Sequence, residues 1–169
     1  METGIEMSKL YETEIIKKLP KVFKNRYKSP TKTESKQISS YELECIDRLM
    51  EKSWSEITAS FLEDNCCINF LSSDNFKYFL PAIVNVSIRE NKVYLLAIEI
   101  VIMMLDRPAD TKNWDDDFVS KWLGLELGEY RLIQDWLFWL CDAREEDTLS
   151  ILRCIETIEL LILETENLK

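Results

Sequence analysis

The chain of 169 residues contains no histidine. The commonest general base and metal ligand is therefore missing, which excludes Ser-His-Asp and Cys-His nucleophile systems, the H-E-x-x-H zinc helix and the E-x-x-H pairs of diiron bundles. Glycine is almost as scarce: Gly4, Gly124 and Gly128 are the only three, and their spacing builds neither G-x-G-x-x-G nor a P-loop. With 3 Gly and 4 Pro against 31% charged residues, the turn formers that a β-sandwich spends at each hairpin are lacking, and an all-α fold is favoured. Long apolar runs are absent too. The longest, VYLLAIEIVIMML at 93–105, is interrupted by Glu99 and falls short of the roughly 20 residues of a membrane span, so it reads as a core segment. The opening METGIEMSKLYETEIIKKL scatters acids through what would be a signal peptide's apolar stretch, so no signal peptide is expected there. The five cysteines (Cys45, Cys66, Cys67, Cys141, Cys154) are odd in number and hold no C-x-x-C spacing. They read as reduced, mostly packed thiols of a cytoplasmic protein, with no structural zinc and no cofactor implied.

What is present is acid. The formal net charge is −10, unevenly spread: residues 1–40 carry nine Lys or Arg against five Glu, and the remainder 12 bases against 26 acids. The segment KKLPKVFKNRYKSPTKTESK (17–36) shows no apolar period and two prolines, so residues 1–37 read as a basic leader, flexible or weakly ordered, ahead of an acidic helical domain at 38–169. A basic arm for nucleic acid or lipid is the functional rival. The acidic body repels both nucleic acid and anionic membranes, which leaves a basic protein as the natural complement.

Within the body, Ser39 and Glu42 have the spacing of a capping box, with Ile38 and Leu43 at staple positions. Leu43, Ile46, Met50, Trp54, Ile57 and Phe61 continue one apolar stripe to about residue 62. Ser72 is placed to cap a second helix, in which Phe76, Phe79, Leu80, Ile83, Val84, Val86 and Ile88 surround Pro81. Pro81 lacks an amide proton and crowds the carbonyl of Lys77, so that helix must kink, or break and restart. Asn91 is placed to cap 92–105, where a buried strand competes with a helix on periodicity; length and the lack of other strand signals favour a central helix. Short helices at Trp114–Leu125 and 129–143 follow, and a closing helix near 148–165 carries Leu149, Leu152, Ile155, Ile158, Leu161 and Ile162 on its apolar side. The sum is a single compact domain of five to seven helices.

The stretch FLSSDNFKYFLPAIV (70–84), in which a serine-capped aromatic face runs into Leu-Pro-Ala, resembles a poorly characterised family of small bacterial helical domains. The resemblance extends over residues 50–142, with a Trp-bearing helix at Trp54 upstream and an apolar-aromatic cluster, Leu137–Leu140, downstream. Tyr130 departs from it, standing where a glutamine is expected. It implies a helical fold and carries no catalytic residue.

Acids recur beside aromatics: Trp114 with Asp115, Asp116 and Asp117, and Trp139 with Asp142, Glu145, Glu146 and Asp147. The Asp115–Asp117 run could hold Mg²⁺, but consecutive positions on a helix start diverge, and acids there suit the helix dipole. Trp136, Leu137 and Leu140 share one face, which leaves Trp139 as the tryptophan to be exposed. Aromatics ringed by acid suit capture of a basic partner. The expectation is a non-enzymatic binding protein, most specifically an immunity protein that covers a basic toxin or nuclease domain. An adaptor or regulatory module, oligomeric through its closing helix, is the first rival, and a carboxylate-dependent metalloenzyme the second.

Overall fold

The computed structural model describes residues 2–144 and 148–168, with the side chains of 2–8 left aside. The described residues form eight α-helices and no strand: α1 Glu2–Val22, α2 Ser40–Met50, α3 Ala59–Asp64, α4 Ser73–Arg89, α5 Leu96–Leu105, α6 Asp116–Trp122, α7 Leu127–Ala143 and α8 Thr148–Asn167. None of them is long and apolar enough to cross a membrane.

The centre of the fold is α4. Every residue from Asn75 to Ile88 is buried except the half-buried Tyr78, because α1, α6 and the turns at Trp54–Glu56 and Ile68–Phe70 all pack on it. From α7, the Trp136 indole donates to Ser87 Oγ at 2.9 Å, satisfying two polar groups that would be costly to bury alone. Of the two outcomes expected at Pro81, a kink or a break and restart, the break does not occur: α4 is one helix through Pro81. It ends where Asn91 takes φ 50°: Asn91 N–H donates to Ile88 O at 3.3 Å and Lys92 N–H to Ser87 O at 2.9 Å, the two bonds of a Schellman motif. Asn91 thus closes α4 instead of opening α5, which starts after Leu95. Of the 92–105 segment, Leu96–Leu105 is helical as expected and largely buried, with Leu96 and Met103 on its exposed side.

Local capping explains the other boundaries. Ser39 Oγ accepts from Glu42 N–H at 3.2 Å and Glu42 Oε2 from Ser39 N–H at 2.7 Å, completing the expected box. The stripe expected to reach residue 62 stops at Met50. Ser53 forms a second box with Glu56, and Thr58 Oγ1 caps α3 through Phe61 N–H at 3.3 Å; two strong caps restart the chain where one continuous helix would have to leave them unused. Ser72 occupies the N-cap of α4, yet its Oγ is buried without a partner.

Residues 1–37 differ most from expectation. In α1, Ile15 and Leu19 recur one turn apart and, with Phe23 just beyond the helix, are buried against the body; α1 packs on α7 and α4. Pro20 falls in its last turn, where few bonds are lost. The following segment is a strap over the α4 N-terminus. Asn75 Oδ1 accepts from Ser29 N–H at 2.8 Å and its amide donates to Thr31 O at 2.8 Å, while Ser72 N–H donates to Lys32 O at 3.0 Å. The period escapes notice because only one narrow face of α1 is apolar.

All five cysteines are free. Burial pushes the Cys67 and Cys154 thiols up to about 12 and Cys66 to about 11, above the ordinary value near 8.5. Since the thiolate is the nucleophile, Cys67 and Cys154 are expected to resist iodoacetamide at pH 8 in the native protein and react once urea unfolds it. Intact-mass analysis reads this directly, and rapid native labelling of either residue would contradict the packing.

Candidate functional site

The two expected acid-aromatic clusters separate in the structure. Trp114 is buried, its Nε1 donating to Pro108 O at 3.0 Å and its ring set edge-on to Phe118 at 5.0 Å. Asp115 is the N-cap of α6: Oδ1 accepts from Phe118 N–H at 2.8 Å and Oδ2 pairs with Arg107 at 2.7 Å. The Phe118 amide, then Arg107, holds its carboxyl below the usual carboxylate range. Asp117 pairs with the buried Lys121 at 2.7 Å, and Asp116 is exposed. The three carboxylates diverge into separate tasks, two of them structural. Among the described residues no group of three or more Cys, Asp or Glu is placed to hold a metal ion.

Trp139 reverses the expectation of exposure. It is 3% exposed, and its indole donates to Glu12 Oε1 of α1 at 3.0 Å. The reason is α1 itself: once that helix lies on α7, the flank of α7 that bears Trp139 becomes interior. Glu145, Glu146 and Asp147 lie outside the described residues, and Asp142 is exposed.

A different aromatic faces outward. Phe138 is 46% exposed, and Asp135, Phe138 and Asp142, at i, i+3 and i+7, share its face of α7. On one side stand Leu10, 65% exposed, and Tyr11, whose hydroxyl donates to Asp135 O at 3.2 Å. Burial pushes Tyr11 up to about 12, with Asp135 and then Asp142 adding to the rise, which places both acids beside it. On the other side lies α8, packed against α7. Arg131 pairs with Glu159 at 2.7 Å, and the helices run antiparallel. Seven residues forward on α7 and seven back on α8 bring Phe138 level with Leu152, also exposed.

The result is an apolar stripe across three helices, Leu10 and Tyr11, then Phe138, then Leu152, flanked by Asp135, Asp142 and Glu156. Arg131, on the same face of α7 as Phe138, is paired with Glu159. On α8 the buried stripe is Ile151, Cys154, Ile155, Ile158, Leu161 and Ile162, whereas Leu149 and Leu152, expected on the apolar side, face out. Sequence reasoning missed Phe138 because it stands next to Trp139. Both directions were open until α1 covered one.

No curated protein and no solved structure matches the chain. Residues 13–135 match a family of unknown function, DUF6714. The matched region takes in the C-terminal half of α1, which the sequence resemblance had left aside, and stops just short of Phe138. The chain belongs to the DUF6714 family.

Proposed function

We propose that this protein is a non-enzymatic binding protein that captures a basic protein through the outer face of α1, α7 and α8, most specifically an immunity protein that covers a toxin or nuclease domain. The observation that supports this reading is the exposed stripe Leu10–Phe138–Leu152 within the ring of Asp135, Asp142 and Glu156. Monomeric proteins rarely leave contiguous apolar surface uncovered, and an acid-rimmed apolar centre suits a partner of opposite charge. A chain of net charge −10 adds long-range steering toward such a partner.

The test is capture of partners from native cells at low salt, followed by titration of the purified captured protein. A basic protein is expected, bound one to one and released as salt shortens the screening length from about 10 Å at 0.1 M to about 3 Å at 1 M. Phe138→Ala is expected to weaken the complex about 30-fold, the effect of losing a central aromatic anchor worth about 2 kcal/mol. Asp142→Lys is expected to slow association more than it speeds dissociation. Affinity indifferent to both salt and Phe138→Ala would sink the proposal. So would light scattering that shows a stable dimer of the isolated chain dispersed by Phe138→Ala, because a second copy would then own this face.

A further inference from the structure

A second apolar face lies across α8 from Phe138. α8 packs against both α7 and α5. Leu152 is on the α7 side, level with Phe138, whereas Arg153 turns to α5 and pairs with Asp106 at 2.6 Å. On the α5 side Tyr94, Leu96, Met103 and Leu149 are 57–75% exposed, each more than Phe138. Leu96 and Met103 stand two turns apart on one face of α5, about 10 Å along its axis. Beside them a cleft of about 210 Å³ runs between α5 and the start of α8, walled by Glu99, Ile102 and Met103 on one side and by Ser150 and Ile151 on the other. Leu149 adjoins that second wall. Tyr94 adjoins the first: its ring lies 4.8 Å from the Arg144 guanidinium, which pairs with Glu99 at 2.5 Å.

Contiguous apolar surface of this kind is rarely left bare on a monomer, and two observations say what covers it. The first is charge. The ionised residues of the cleft are Glu99, Asp106 and Arg144, and each is paired within the chain, Glu99 with Arg144 and Asp106 with Arg153. Among the described residues this cleft therefore presents no unpaired charge, in a chain of net charge −10, and it lacks the steering toward a basic partner that the α7 face has. Another copy of the same acidic chain, repelled elsewhere, can approach here once salt screens the rest. The second observation is the order of residues on α5. Leu96, Glu99, Ile100 and Met103 place a large exposed apolar side chain at each end of the face. A two-fold contact demands such symmetry, because whatever Leu96 meets on the other copy must meet Leu96 in return. With α5 antiparallel to its copy and the axis between Glu99 and Ile100, Leu96 of each chain falls on Met103 of the other.

We propose that the chain forms a two-fold dimer through α5 and the start of α8, a second copy being the occupant of this face. The contact leaves Leu10, Phe138 and Leu152 uncovered, so the dimer presents two docking stripes, whatever they bind. Four large side chains are few beside the roughly 20–30 residues that each side of a standard interface supplies, so the dissociation constant is expected to be on the order of 100 µM.

Sedimentation equilibrium of the full chain tests this, over about 10–500 µM at about 0.15 M salt, where the screening length is about 8 Å. A monomer–dimer equilibrium is expected. Leu96→Lys and Met103→Glu, both at exposed positions, are each expected to weaken it at least about ten-fold, the cost of an unpaired charge in an apolar contact, with an unchanged circular dichroism spectrum. The double variant Leu96→Lys, Met103→Glu is expected to recover most of the loss, because each new cation then lies against a new acid of the other copy. Phe138→Ala should leave the equilibrium unchanged. A chain monomeric throughout would overturn the proposal and leave the face to a different protein. A dimer that both single variants leave intact, a double variant no better than the singles, or assembly beyond two copies would overturn it as well. Dimerisation lost in Phe138→Ala would sink this proposal and the docking reading together, whereas failure of partner capture with the α5 dimer intact would sink that reading alone.

Discussion

Removal of residues 1–23 is expected to abolish cooperative unfolding. Ile15, Leu19 and Phe23 are each exposed by 2% or less. At about 1.5–3 kcal/mol per buried side chain, these three account for roughly 5–9 kcal/mol, against a typical whole stability of about 5–15 kcal/mol. The deletion also uncovers Trp139 and strips its indole of Glu12. Thermal unfolding followed by circular dichroism, together with tryptophan emission, reads both effects: no sharp transition and a red-shifted spectrum. A truncated chain that melts cooperatively within a few degrees of the full chain would show that α1 is an appendage. The same result bears on any use of the basic segment as a nucleic-acid arm. Deleting it to test that role removes part of the core, so charge-reversing Lys17, Lys18 and Lys21, all exposed, is the cleaner probe.

Glu129→Ala is expected to cost about 3–5 kcal/mol, the range for stranding one partner of a buried ion pair. The Glu129 side chain is 2% exposed, and it binds Arg26 through both carboxylate oxygens. It is also the N3 residue of the box that starts α7, accepting from Glu126 N–H, and a lost cap contributes about 1 kcal/mol of the total. Arg26 donates to Glu129, and its guanidinium stays charged at any ordinary pH, so it cannot shed its charge when left alone. Urea denaturation measures the loss. The double variant Arg26→Met, Glu129→Met is expected to recover most of it, because an apolar pair of similar volume avoids the desolvation that both ions carry. A single-variant loss under about 1 kcal/mol would mean that the pair is screened like a surface bridge.

How far the sequence could be read follows from what each residue's environment depends on. The capping box at Ser39 and Glu42 and the helix-start role of Asp115 were legible, because a cap is a bargain among four consecutive residues. The all-α class was legible from scarce turn formers. Two helices went uncounted: α1, in the segment read as a leader, and α3, which Ser53 and Thr58, weak signals inside a convincing stripe, divide from α2. Trp139 and Phe138 could not be told apart locally: which is interior depends on α1, more than a hundred residues earlier.

The bond from Trp139 to Glu12 spans 127 positions in sequence. α1 ends at Val22 and α7 begins at Leu127, about 105 residues later. At ~5–20 residues per second of synthesis, the apolar flank of α1 waits about 5–20 s for its seat to be made. Most helical proteins close through neighbouring segments and settle quickly; here α1 packs on a helix more than a hundred residues away, which raises contact order and slows folding. Until then the nascent protein holds Ile15, Leu19 and Phe23 uncovered, and that interval on the ribosome is where its apolar flank is open to aggregation.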